Sequence, residues 1–511
     1  MDVREYRELD AVALAGLVRR GEVGAGELAA AANAAIDEEN GVINAVVHRF
    51  PERAAAALGA GLPDGPLRGV PLLLKDQLEV AGTPINYGSR LLDGYLCPRT
   101  HPLAARLEAA GALFLGRTNM SEMGFTPTTE PARFGATRNP WDLGRSPGGS
   151  SGGAAAAVAA GFVPVAHAVD GGGSIRIPAA ACGLVGLKPS RGRVVTAPDD
   201  DPDGFVSHHC VSHTVRDSAA VLDVLAGGGG RWALPAPAIP YAEGVRRESP
   251  RLRVGVCAVG LYGERLHPAA EAAVLTTARR LESLGHAVEP VPPPVDAERL
   301  TEAMRVLWSA GAGVFLRLAQ RGVGQSALPA FVKALLAHPA LFRLAIALPL
   351  GGAPLVEAFT RRLGRIDAGC TPSDLWLAGV ALQEAAAALA AQFAHHDLLL
   401  TPVLTRPPDP LGTLDLSGSD AAITCRLFEY VAFTPVANAT GLPAISVPGP
   451  PDPVTGLPMG AHLMAPMGRE DWLLGVAAQI ERGWPWPRVW ARAAAGTAGA
   501  GLAPSPGLAA A

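Results

Sequence analysis

From Val70 onward, short apolar runs alternate with Ala- and Leu-rich windows several helical turns long, and this alternation restricts the architecture more than any other feature. Pro71-Leu72-Leu73-Leu74 is followed by a helical window around 102–111 and then by Ala112-Leu113-Phe114-Leu115-Gly116. Runs this short, closed by turn residues, read as buried strands, and strands alternating with helices pack in layers. The pattern returns as Leu252 to Ala258, a helix over 268–284 and Ala287 to Val291, a βαβ-like unit. Asp397 to Pro402 and Ala444 to Pro448 read as buried strands that rejoin the same sheet, and a strand over 459–465 precedes a helix over 470–482. The prediction is an α/β chain with one large, mixed, mostly parallel β-sheet flanked by α-helices, an α/β/α arrangement.

Residues 8–60 read as a helical preface, with Glu27-Leu28-Ala29-Ala30-Ala31-Ala32 a strong helix former, and Gly61 to Pro66 as a turn. Gly227 to Pro250 is a linker or surface excursion, and 296–395 reads as largely helical. Ala493 to Ala511 is Ala, Gly and Pro with little to bury, and reads as a flexible tail.

Apolar residues make up 49% of the 511 and charged ones 18%, which excludes a disordered protein and fits a soluble enzyme. The net charge of −4 offers no basic stripe for nucleic acid, so small molecules or peptides are the partners to expect. Cysteines 97, 182, 210, 257, 370 and 425 form no CxxC pair and read as reduced, buried thiols. The charged start, Met1 to Glu8, lacks the apolar stretch of an export signal, which predicts a cytoplasmic protein. Residues 154–169 are interrupted by Pro164 and His167, and 334–355 by His338, Pro339 and Arg343, so neither supplies the roughly 20 apolar positions of a spanning helix. The second stretch reads as an apolar cap over a pocket, with a membrane-contacting surface as the alternative.

The chain holds three lysines among 43 basic residues, and Lys75 interrupts an apolar run. Arginine keeps its proton in proteins, whereas a lysine forced into low dielectric can lose it, so Lys75 is a candidate base. Downstream, Gly148-Gly149-Ser150-Ser151-Gly152-Gly153 and Asp170-Gly171-Gly172-Gly173-Ser174-Ile175-Arg176 carry serines for such a base to activate. Three glycines before Ser174 allow successive N–H groups to converge on one point, as an oxyanion hole requires, although a GGGS segment standing alone reads as a flexible turn. The combination suggests a serine hydrolase that works without histidine.

These segments resemble the amidase signature family over most of the chain. The resemblance is densest from Gly69 to Arg193, including Arg138-Asn139-Pro140-Trp141 and Cys182-Gly183-Leu184-Val185-Gly186-Leu187-Lys188-Pro189, and returns at Gly441 to Ser446 and Gly456 to Gly460. It implies Ser174 as nucleophile, Ser150 as bridging serine, often in a cis peptide, and Lys75 as base. It further implies oxyanion donors from Gly171, Gly172, Gly173 and Ser174, supporting roles for Ser151, Asp170 and Arg176, and no metal or organic cofactor. Implied too are a small-molecule amide substrate, a possible homodimer, and one domain over 1–495: a helical part to 65, a signature core 66–225, a cap 296–395, sheet completion 396–492 and a tail from 493. Ala168-Val169 replace the family's Gly-Thr, and Gly171 its non-glycine residue. Thr128 to Pro131 followed by Phe134 to Asn139 looks most like the aminohexanoate cyclic-dimer hydrolases and related bacterial amidases. Met123, Gly124, Phe125 and Trp308 are pocket candidates, with core packing as the alternative for each.

Rival readings are weaker. Gly148 to Gly152 fits the G-x-S-x-G elbow, but polar Trp141 to Pro147 is no buried strand to carry it. His208-His209-Cys210 with His213 suits zinc by residue type but not by spacing, and reads otherwise as a surface loop. His395-His396 reads as the solvated start of a strand. A member that passes its acyl group or ammonia to a partner instead of water is the remaining alternative.

Overall fold

The computed structural model describes residues 1–194, 204–227, 232–322, 326–347, 349–350 and 353–490. Among these, eleven strands form one sheet: β1 Val46–Arg49, β2 Pro71–Lys75, β3 Leu113–Thr118, β4 Val165–Asp170, β5 Val185–Lys188, β6 Ser207–Ser212, β7 Arg253–Val256, β8 Ala287–Pro290, β9 Leu398–Pro402, β10 Ala444–Pro448 and β11 Gly460–Met464. Their spatial order is β1-β3-β2-β4-β6-β5-β10-β11-β9-β7-β8.

The sheet is mixed, but it is not mostly parallel. Parallel pairing joins β3 to β2, β2 to β4, β9 to β7 and β7 to β8, while every other pair is antiparallel. An apolar run reports burial and not direction, which is set by the connection. β7 and β8 are linked by the helix Pro268–Ser283 and run parallel, whereas no helix crosses between β10 and β11, which return antiparallel. The preface is likewise not all helix: helices Ala25–Ile43 and Pro51–Ala60 bracket β1, which pairs on β3.

β2 explains its own sequence. Successive side chains of a strand point to opposite faces, and here both faces are covered, so the run has no polar alternation. Leu72 and Leu74 join one core with Leu103, Leu107 and Leu222, and Leu73 joins the other with Leu28, Ile36 and the helix Gly152–Ala159. Each such leucine contributes about 2 kcal/mol of burial. Lys75 ends the strand on the parity of Leu73, facing the layer that holds Ser150.

The glycines after Ser150 seat that helix. A Cβ on Gly153 would lie 2.4 Å from Asn119 O, and one on Gly152 2.4 Å from Thr129 Oγ1, so only glycine lets the helix start press against the end of β3.

Helices Ala297–Gly322, Ala330–Ala337, Pro339–Ala345, Ala358–Gly369 and Pro372–His395 build the cap, with a two-stranded ribbon of Pro349–Leu350 and Ala353–Pro354. Leu316, Val332, Leu336 and Leu363 pack there against Met123 and Phe125. Among the described residues, the helix Pro372–His395 is the one long and apolar enough by length and composition to cross a membrane. It buries Ala378, Ala381, Ala385 and Leu389 as one helical stripe.

Other expectations change. His208, His209 and Cys210 lie on β6, a strand buried along its whole length, and not in a surface loop. His208 pairs with His167 and His209 with Ser218 O, and among the described residues no group of three potential ligands gathers for a metal. His395 ends a helix, and His396 is buried on Glu289 at 2.7 Å rather than solvated. All six cysteines are free, but Cys425 is exposed. The tail from 493 lies outside the described residues.

Candidate active site

Lys75 is 1% exposed, and its Nζ donates to Ser150 Oγ at 2.7 Å and to Val169 O at 3.5 Å. Burial pushes its pKa down to about 7 against the pull of the Asp170 carboxylate. An amine with that pKa is largely neutral just above neutrality, and its lone pair can then accept the Ser150 proton. The Gly149–Ser150 peptide is cis. Ser151 fixes the neighbouring segment to β4, donating to Val169 O at 3.1 Å and accepting from Val169 N at 3.3 Å.

Five residues beyond Val169 stands Ser174, between β4 and the helix Arg176–Cys182. Asp170 clasps it from both sides, accepting from Gly173 N at 2.7 Å and Ile175 N at 3.2 Å. The same carboxylate takes two bonds from Arg176, each 2.9 Å, with both side chains fully buried. Buried charges of this kind persist because they are paired and every oxygen is satisfied. Arg176 and the loop N–H groups hold Asp170 well below the usual carboxylate range. Gly173 thereby drops out of the predicted oxyanion donors, because its N–H is spent on Asp170. Among the described residues none accepts from the N–H groups of Gly171, Gly172 or Ser174.

Three residues that the sequence did not single out complete the frame. Thr434 Oγ1 donates to Gly172 O at 3.0 Å, and Asn438 Nδ2 donates to Asp170 O at 2.9 Å while its Oδ1 accepts from Arg176 at 2.7 Å. His462 Nε2 lies 2.8 Å from Arg176 Nη1, which only donates, so the ring proton sits on Nδ1 and faces Thr401 Oγ1 at 3.0 Å. Burial and Arg176 keep that histidine neutral. The available signal was position: Thr434 and Asn438 directly precede Gly441-Leu442-Pro443.

The pocket candidates divide. A Cβ on Gly124 would lie 3.3 Å from Ser150 Oγ, and one on Gly172 would lie 3.7 Å from Trp308 Cζ2, so Gly124 and Trp308 border the two serine loops. Trp308 packs edge-on to Phe428. Met123 and Phe125 are buried in the cap core. Gly171, Gly172 and Ser174 are partly exposed within an otherwise buried stretch from 165 to 190, so the site opens there.

A family model described as Amidase matches residues 27–474. The chain belongs to the amidase family. This amidase is 37% identical over 495 residues to the 6-aminohexanoate-cyclic-dimer hydrolase of Paenarthrobacter ureafaciens, covering 93% of this chain and 95% of that one. A solved structure of 6-aminohexanoate cyclic dimer hydrolase complexed with substrate matches with a TM-score of 0.82 at 34% identity, over 94% of this chain and 97% of that one. A bacterial aryl acylamidase belonging to the amidase signature enzymes matches with a TM-score of 0.80 at 25% identity, over 94% and 98% of the two chains. The amidase accordingly hydrolyses amide C–N bonds, the activity its hydrolase relatives share.

Proposed function

We propose that the amidase works through an acyl-serine on Ser174, with Lys75 as base and Ser150 as the proton carrier between them. The observation that carries this reading is the buried 2.7 Å contact between Lys75 Nζ and Ser150 Oγ, with the lysine pushed to about 7. Neutral Lys75 takes the Ser150 proton, Ser150 takes that of Ser174, and Ser174 Oγ adds to the amide carbonyl carbon. Oxygen of the tetrahedral intermediate becomes negative, and the N–H groups of Gly171, Gly172 and Ser174 are the donors for it; one such donor contributes roughly 3–4 kcal/mol in comparable sites. Ser150 then returns a proton to the leaving nitrogen as the C–N bond breaks. Water gives up a proton along the same relay, attacks the ester and frees Ser174. Asp170, Ser151 and Arg176 hold the two loops in register.

The substrate in this reading is a small carboxamide or a linear or cyclic amide, bordered by Gly124 and Trp308 beside the two serine loops. Lys188, the other buried lysine pushed to about 7, donates its Nζ to Pro189 O at 2.7 Å and to Ser207 Oγ at 3.5 Å, whereas Lys75 is the one that meets Ser150, at 2.7 Å, which favours Lys75 as the base. Cytoplasmic residence is supported by six unpaired cysteines, and homodimer formation rests on the family resemblance. The test is turnover of short carboxamides, anilides, cyclic amides and fatty amides by wild type and Ser174→Ala. At least one class should be cleaved, with kcat lowered 10³-fold or more in the variant; equal turnover by both proteins would move the nucleophile elsewhere.

A further inference from the structure

Glu122 is a buried carboxyl to which the amide chemistry gives no task. It is 4% exposed on the short turn Glu122–Gly124 that follows β3. Its Oε1 accepts from Ser89 Oγ at 2.8 Å, and its Oε2 accepts from the Glu357 N–H at 2.9 Å. Ser89 Oγ reaches Leu355 O at 3.4 Å, and Glu357 Oε1 accepts from Ala132 N at 2.8 Å. One carboxyl therefore joins the loop after β2, the loop after β3 and the segment around 355–357 that leads into the helix Ala358–Gly369.

Both fastened loops run to the proton relay. Directly after Glu122, Met123 adopts φ +50° and donates its N–H to Tyr87 O at 2.8 Å. Gly124, at φ +81°, follows, and a Cβ there would be 3.3 Å from Ser150 Oγ. On the other side, Tyr87 N donates to Asp76 O at 3.1 Å and Gly88 N to Asp76 Oδ2 at 3.2 Å, and Asp76 is the neighbour of Lys75. Burial, with the Glu357 carboxylate beside it, raises Glu122 to about 7.

We propose that Glu122 is a positioning residue for amide cleavage, fastening the cap to the two loops that back Lys75 and Ser150 and so holding the relay in working geometry. The proposal rests on the Ser174 reading above. Glutamine can replace both bonds, its Oε1 accepting from Glu357 N and its NH₂ donating to Ser89 Oγ, whose own proton can turn to Leu355 O. Alanine can replace neither, and displacement of reacting groups by about 1 Å costs on the order of 100-fold.

The experiment compares wild type, Glu122→Ala, Glu122→Gln and the milder Ser89→Ala by thermal melting, kcat and KM on one cleaved amide, and hydrogen exchange over residues 121–125. Glu122→Ala should lower kcat roughly 30- to 100-fold, more than it raises KM, and speed exchange over 121–125. Ser89→Ala should shift both in the same direction by less, and Glu122→Gln should stay within about threefold of wild type in kcat. A folded Glu122→Ala with wild-type kcat, or a Glu122→Gln as impaired as Glu122→Ala, would overturn the proposal. If wild type cleaves no amide, the Ser174 reading fails by itself; unchanged exchange in Glu122→Ala and Ser89→Ala removes the fastening whatever the activity.

Discussion

Lys75 can act as a base because no neighbour fully offsets the cost of burying its charge. Burial outweighs the Asp170 carboxylate, whose two oxygens already serve Arg176 and two loop N–H groups. The sign follows directly: the folded pKa lies below the ordinary 10.5, at about 7, so protonation at lower pH removes the base. kcat/KM should rise with pH along a limb centred near 7 and fall about tenfold per unit below it. A limb near 10, read from a pH–rate profile on a non-ionising amide, would mean that Lys75 titrates as an exposed lysine. The burial of this residue was legible in the sequence, because it stands inside an apolar run. Asn438 and His462 were not, because each meets Arg176 across more than two hundred residues, 262 and 286 respectively, and no local pattern encodes such a meeting.

At the scale of elements, the three glycines before Ser174 look alike in sequence and differ in the fold. Gly173 has φ +127°, and a Cβ on it would meet Thr434 Oγ1 at 2.3 Å. For Gly171 the nearest neighbour of such a Cβ is Val206 Cγ2 at 3.6 Å, an ordinary contact. Gly173→Ala should therefore cost about 2–4 kcal/mol, from backbone strain plus overpacking, and Gly171→Ala less than about 1 kcal/mol. Denaturant melts of the two variants check this; equal losses would mean that the loop backbone is not as described. Strand existence was legible from the apolar runs, and Pro71 to Leu74, Leu252 to Ala258 and Ala444 to Pro448 all became strands. Strand direction was not, because β2, β4 and β6 are buried alike, yet β4 runs parallel to β2 and antiparallel to β6.

For the whole molecule, the sheet brings together groups distant in the chain: Lys75 at the end of β2, the Gly171–Ser174 loop at the end of β4, and His462 on β11. Helices from 297 to 369 pack against Met123 and Phe125 beside these groups, where Glu122 bonds to Ser89 and Glu357. Family membership and amide hydrolysis stand on the match along nearly the entire chain, whereas the chemistry stands on whether Ser174 becomes acylated. Intact-protein mass spectrometry after reaction with a fluorophosphonate is the most direct measurement. Wild type should gain one adduct that peptide mapping places on Ser174, and Ser174→Ala should gain none; an adduct that persists in Ser174→Ala would contradict an acyl-serine at this position.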